Sequence, residues 1–236
     1  MRTVIFQWLV FGWLSGPFLA SLAVAAEADT QIPRQLPADT SNFVAKVEQV
    51  YPGSVERNTA GLVFRLSVPF NHVSDSSLSA IANLSLLKEL SLRFSTTDYT
   101  NLTARGFEQL KQLSQLERLD IGCARAISAD RFAEICQLSS LKVLRVSFCK
   151  PPRSSYALLT NFTKLEELLI FESKSFGNVE LLKLRDLPQL RRIILNRTSV
   201  SQDSLKLLPQ FPSLTNAIII QGLPDGGTTN LSWSKP

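Results

Sequence analysis

Apolar residues recur along this chain in one short phrase, apolar–x–x–apolar–x–apolar. It appears as Val63/Leu66/Val68, Leu87/Leu90/Leu92, Leu116/Leu119/Ile121 and Leu141/Leu144/Val146, then as Leu165/Leu168/Ile170, Leu190/Ile193/Leu195 and Leu214/Ala217/Ile219. The first positions are 24, 29, 25, 24, 25 and 24 residues apart, a register that chance does not keep. The alternation at the end of each phrase predicts a short β-strand with one face in a core. A second phrase, with apolar steps of five, three and three, follows several strands. It reads Val73/Leu78/Ile81/Leu84, Leu102/Phe107/Leu110/Leu113, Ile127/Phe132/Ile135/Leu138 and Val200/Leu205/Leu208/Phe211. Steps of three predict a short helix with one buried face. Ser74, Ser128 and Ser201 stand just before these helices, where a hydroxyl caps free N–H groups. Asp75, Asp130 and Asp203 fall in the first turn, where the helix dipole favours a carboxylate. Each unit is therefore strand, turn, helix, and it buries its apolar face only against its neighbours.

Over residues 60–221 this pattern resembles the leucine-rich repeat family, whose motif is Leu-x-x-Leu-x-Leu-x-x-Asn/Cys. The stretch from Val73 to Leu78 (Val-Ser-Asp-Ser-Ser-Leu) is also similar to the Val-Thr-Asp-Ala-Gly-Leu turn of secreted bacterial proteins of that family. The resemblance implies an α/β leucine-rich repeat solenoid of about seven units, with a curved parallel sheet on its concave face and short helices on its convex face. The expected partner is a protein of unknown identity, read from the surface described below. The motif's Asn/Cys position holds Asn71, Ser95, Ala124, Cys149, Ser173 and Thr198. Ala124 alone of these cannot hydrogen-bond the loop backbone, so an irregular turn is expected there.

Residues 41–62 read as an N-terminal cap on the repeats at 63–221. Ser41–Val50 forms a helix with Phe43, Val44, Val47 and Val50 on one side, and a hairpin follows around Asn58-Thr59-Ala60-Gly61. Residues 222–236 carry no period and are expected to be an uncapped tail, leaving the last repeat strand as an open edge. Residues 1–26 have the order of a signal peptide: Arg2, an apolar run from Val4 to Leu14, the breaker Gly16-Pro17, and small residues up to Ala26. Cleavage after Ala25 or Ala26 is expected. The alternative is retention as an anchor, since the 24 uncharged residues from Thr3 to Ala26 are long enough to span a bilayer. Either way the remainder is exported, to the periplasm, the cell surface or the medium. Residues 27–40, with two prolines and no hydrophobic period, read as a flexible linker.

Composition removes most chemistry. One His and three Cys leave no relay and too few ligands for a zinc site. No catalytic, metal-binding or cofactor-binding residues are assigned. His72, the one imidazole, has no oxyanion-hole motif or Gly-x-Ser-x-Gly beside it and reads as a loop residue. Cys123 and Cys149 fall at similar heights on adjacent units, which permits one disulfide and leaves Cys136 a free thiol. The net charge of +5 is mixed along the sheet rather than gathered in a one-signed stripe, which argues against nucleic acid.

Strand residues between the core leucines face the concave side. The central row reads Ser67, Ser91, Asp120, Arg145, Leu169, Ile194 and Ile218. Two residues later it reads Pro69, Arg93, Gly122, Ser147, Phe171, Asn196 and Ile220. The array turns apolar towards its C-terminal end. Leu169, Phe171, Ile194, Ile218 and Ile220 are the expected partner-binding patch, with Arg145 and Arg192 setting specificity. The other occupant considered for the patch is the chain's own tail, through Leu223, Leu231 and Trp233. The longer second unit places Phe94–Asn101 on the rim as a further contact. Two other functions fit the repeats less well. One is a structural or self-associating envelope protein that uses the C-terminal edge strand. The other is a substrate-recognition adaptor of F-box type, which the export segment opposes.

Overall fold

The computed structural model describes residues 36–69, 73–93, 102–122, 127–222 and 228–235. His72, the rim segment 94–101, Cys123, Ala124, Leu223 and the 1–26 segment lie outside them, as do residues 27–35 of the expected linker.

Among the described residues nine strands form one sheet in sequence order. They are β1 (Val55–Arg57), β2 (Val63–Pro69), β3 (Glu89–Arg93), β4 (Arg118–Gly122), β5 (Val143–Ser147), β6 (Glu167–Phe171), β7 (Arg192–Asn196), β8 (Asn216–Gly222) and β9 (Thr228–Ser234). β2 to β8 are parallel, and β1 and β9 pair antiparallel at the two ends. The register stacks the same motif position along the sheet: Leu66, Leu90, Leu119, Leu144, Leu168, Ile193 and Ala217, each at most 1% exposed. A parallel sheet needs crossover segments that return the chain to the same end, and these short segments supply them while covering the core. They are helices α2 (Asp75–Ala82), α3 (Ala104–Gln109), α4 (Ala129–Ile135) and α5 (Asn178–Lys183), with 3-10 turns at Arg153–Asn161, Gln202–Lys206 and Leu208–Gln210.

The expected caps hold in part. Ser74 accepts from the Ser77 N–H and Ser128 from the Arg131 N–H, while Thr103 does the same for Gly106 in α3. Ser201 makes no such bond, because its turn is 3-10 rather than α. Pro209 in the following segment lacks the N–H that an α-helix needs. Ser201 is held instead by the previous unit: its N–H donates to Asn178 Oδ1 at 3.0 Å, and Asn178 Nδ2 donates to its hydroxyl at 2.8 Å.

Bonds of this kind join consecutive units throughout. Asp75 accepts from the Thr103 N–H at 2.9 Å and from its hydroxyl at 2.7 Å. The hydroxyls of Ser140, Ser175, Ser199 and Ser213 donate to the carbonyls of Leu116, Pro151, Lys174 and Pro188. At the Asn/Cys position, Ser173 is fully buried and donates to the Cys149 carbonyl at 2.8 Å. Its single proton is thereby used, so the hydroxyl of buried Tyr156 donates to Ser173 Oγ.

Both ends differ from the sequence expectation. Helix α1 spans Ala38–Val50, so residues 38–40, read as linker, are helical. Thr40 explains this: it is fully buried, donating to the Ala80 carbonyl and accepting from Asn83 Nδ2, which pins the first turn of α1 to α2. Val44 and Val47 reach the core as expected, whereas Val50, in the last turn, is 51% exposed. At the other end the tail is not irregular and β8 is not an open edge. β9 pairs along the whole of β8, from Asn216↔Ser234 to Gly222↔Thr228.

Candidate functional site

The pairing register fixes what the concave face displays. Its central row runs Ser67, Ser91, Asp120, Arg145, Leu169, Ile194, Ile218 and then Ser232 of β9. Leu169, Ile194 and Ile218 are therefore direct lateral neighbours, all half-buried. In the next row the register is Ser147, Phe171, Asn196, Ile220 and Asn230. Asn196 thus separates Phe171 from Ile220, and the second row is interrupted rather than continuous.

Arg145 joins this patch diagonally. Its guanidinium carbon stands 4.7 Å from the centroid of the Phe171 ring, and its Nη1 lies 3.7 Å from Asp120 Oδ2. A guanidinium over an aromatic face keeps its charge while adding apolar contact to the patch. Arg145 Nε and Asn196 Oδ1 are both shielded from solvent and have no hydrogen-bond partner among the described residues. Arg192 is placed differently. It lies two residues before Ile194, in the row with Glu167, to which its Nη1 is bonded at 3.1 Å. That pairing leaves Arg192 a neutralised border and Arg145 the cation closer to the apolar centre.

Charges along the sheet pair at the spacing of one unit. Arg65 reaches Glu89 at 2.8 Å, Lys142 reaches Glu117 at 3.1 Å and Arg197 reaches Glu172 at 2.8 Å. Identical positions of adjacent units sit one strand apart, so opposite charges there meet by construction. The pairs are exposed enough to add little stability, but they leave a face of mixed sign.

Three turn residues at the C-terminal ends of strands set the rim. Phe148, Glu172 and Arg197 have φ of 57, 55 and 50°, in the left-handed region. Each donates its N–H to the next strand, to the carbonyls of Phe171, Asn196 and Ile220, before the chain turns away. The left-handed residue ends the strand without losing the ladder bond. It also leaves Phe148 46% exposed just after β5, an exposed aromatic that the alternation rule did not reveal.

The tail borders the patch instead of lying over it. Paired residues of antiparallel strands share a face, so Ser232 and Asn230 stand beside Ile218 and Ile220 on the concave side. Leu231 and Trp233 sit opposite Ile219 and Ala217 and pack on the core side. The reading in which those two side chains cover the concave isoleucines is thereby overturned.

Cys149 is buried and disulfide-bonded, and Cys136 is a free thiol with no exposure. Burial pushes the Cys136 thiol far above its ordinary range, the opposite of what a nucleophile needs. Among the described residues no group of three or more His, Cys, Asp and Glu could hold a metal, and no helix is long and apolar enough to cross a membrane.

A strand, turn and short helical segment in each unit, with stacked leucines and one parallel strand per unit, define a leucine-rich repeat solenoid. Solved structures similar to this chain are leucine-rich repeat proteins. An internalin of Listeria monocytogenes is 23% identical, with a TM-score of 0.43, over 59% of this chain and 36% of that one. A leucine-rich repeat protein of Leptospira interrogans is 15% identical, with a TM-score of 0.42, over 73% and 50%. The leucine-rich repeat ectodomain of the receptor kinase SOBIR1 from Arabidopsis thaliana is 17% identical, with a TM-score of 0.38, over 70% and 95%. The matched region thus spans half or less of the length of the first two. No family model matches the chain, and no curated protein matches it.

Proposed function

We propose that this chain is an exported, non-enzymatic leucine-rich repeat protein of bacterial type that binds another protein through the concave face of β5 to β8. The observation that carries the reading is the lateral row Leu169–Ile194–Ile218, flanked by Phe171 under Arg145 and bordered, not covered, by β9. Half-buried apolar side chains in register across three strands form a flat surface that a partner can desolvate at once. Leu169, Phe171, Ile194, Ile218 and Ile220 are the anchors. Arg145 supplies directional contact through the exposed part of its guanidinium, held over Phe171, and Arg192 contributes at the border. The alternating charges favour a partner of mixed charge over a polyanion.

The double variant Phe171→Ser/Ile194→Ser tests this. Each anchor contributes about 2 kcal/mol to a typical hot spot, so losing both should lower affinity by roughly 1,000-fold. The thermal midpoint should stay within a few degrees, because both side chains are on the open face. A partner that binds the folded double variant as tightly as the wild type rules out the patch.

Export rests on the order of residues 2–26. The secreted protein should begin at Ala26 or Glu27 by N-terminal sequencing; an intact Met1 in a cytoplasmic fraction refutes the reading.

A further inference from the structure

The two ends of the sheet are built differently. β1 is three residues long, its register shifts between Glu56 and Arg57, and both of those charges are held in ion pairs, with Arg65 and Glu48. A short, bulged, charged edge is how a sheet avoids pairing with another chain. β9 has none of these devices. It is seven residues long, pairs with β8 without a bulge, and contains no charge, proline or glycine (TTNLSWS). Among the described residues it is the outermost strand at its end of the sheet.

The ladder shows which groups β9 leaves free. The Lys235 N–H donates to the Thr215 carbonyl at 3.0 Å, so backbone groups of alternate residues before it, Trp233, Leu231 and Thr229, also point at β8. The N–H and C=O groups of Thr228, Asn230, Ser232 and Ser234 therefore point away, along an edge that no other described strand covers. Their side chains are exposed on the concave face, while Leu231 and Trp233 are only half-buried at the end of the core.

We propose that this edge pairs with a second copy of the chain, β9 against β9, antiparallel about a twofold axis at Leu231. In that register Asn230 faces Ser232 and Thr228 faces Ser234 in both directions, so every outward backbone group from Thr228 to Ser234 finds a partner. On the core side Leu231 meets its own copy and Trp233 meets Thr229, which closes the apolar end that β9 only half covers. The strand is suited to a copy of itself because it is uncharged: antiparallel self-pairing sets no like charges opposite one another. The axis is perpendicular to the sheet, so both concave faces open on the same side. This inference does not depend on the concave patch having a partner.

Sedimentation of the purified protein over a wide concentration range should show monomer passing to dimer. Ser232→Pro removes an outward N–H and no β8–β9 bond, so it should stay folded, by circular dichroism and thermal midpoint, and remain monomeric. Asn230→Pro, which removes the next outward N–H, serves if the first variant misfolds. Leu231→Cys should cross-link to itself under oxidation and run as a covalent dimer. A wild type that is monomeric throughout, or a folded proline variant that dimerises like the wild type, overturns the proposal.

Discussion

Tyr156→Ala should lower the unfolding free energy by about 3–5 kcal/mol, the range for removing a large buried aromatic. For a chain of this size that corresponds to a fall of roughly 6–20 °C in thermal midpoint. Tyr156 has no exposure and meets two rings edge to face, Phe132 at 5.6 Å and Phe176 at 5.0 Å between centroids. It thus joins helix α4 of one unit to the turn before α5 two units on. Its hydroxyl donates to Ser173, which donates to the Cys149 carbonyl. Tyr156→Phe keeps the rings and deletes only the first bond of that relay, so it should cost about 1 kcal/mol. Equilibrium denaturation of both variants separates packing from hydrogen bonding. Equal losses for Phe and Ala would show that the hydroxyl relay, not the aromatic contact, dominates.

Ending the chain after Gly222 should have the next largest effect. It removes Leu231 and Trp233 from the end of the core and leaves Ala217 and Ile219 without their antiparallel partner. Burial of a large apolar side chain contributes about 1.5–3 kcal/mol when complete, so two half-buried ones give about 1.5–3 kcal/mol together. The uncovered β8 would then present Ala217-Ile218-Ile219-Ile220 as an apolar edge, a template for aggregation. Differential scanning fluorimetry should show the lower midpoint, and light scattering the larger particles. A truncated protein that melts with the full chain and stays dispersed would mean that β9 contributes nothing to the cap. Trp233→Ala should reproduce the loss of stability only in part and keep the edge shielded.

The repeat strands were legible because each leucine phrase needs no knowledge of the rest of the chain. Leu66, Leu90, Leu119, Leu144, Leu168 and Ile193 stack because they occupy one position of a period. The lateral row Leu169–Ile194–Ile218 followed from the same alternation. What escaped depended on single contacts. Thr40 looks like linker until its bonds to Ala80 and Asn83 are seen, and those cross 40 residues or more. β9 escaped because only Leu231 and Trp233 alternate in it, and a search for a 24-residue period overlooks a hairpin. Asp225-Gly226, standing between the apolar run Ala217–Ile220 and the alternating Leu231 and Trp233, was the signal for one. The Arg145–Phe171 contact is diagonal, reaching from Arg145 to the residue two beyond its lateral partner Leu169, which spacing alone does not reveal.

The serine, threonine and aspartate bonds that tie each unit to the next have a consequence for how such a chain can change its length. None of them reaches past the adjoining unit: Ser140 addresses Leu116, Ser199 addresses Lys174, and Asp75 addresses Thr103. A unit duplicated or lost in evolution therefore severs bonds of this kind only with its immediate neighbours. Among the described residues α1, β1 and β9 stand outside the repeat. Their sequences lack its leucine phrase, so copying one of them inward would interrupt the stacked core.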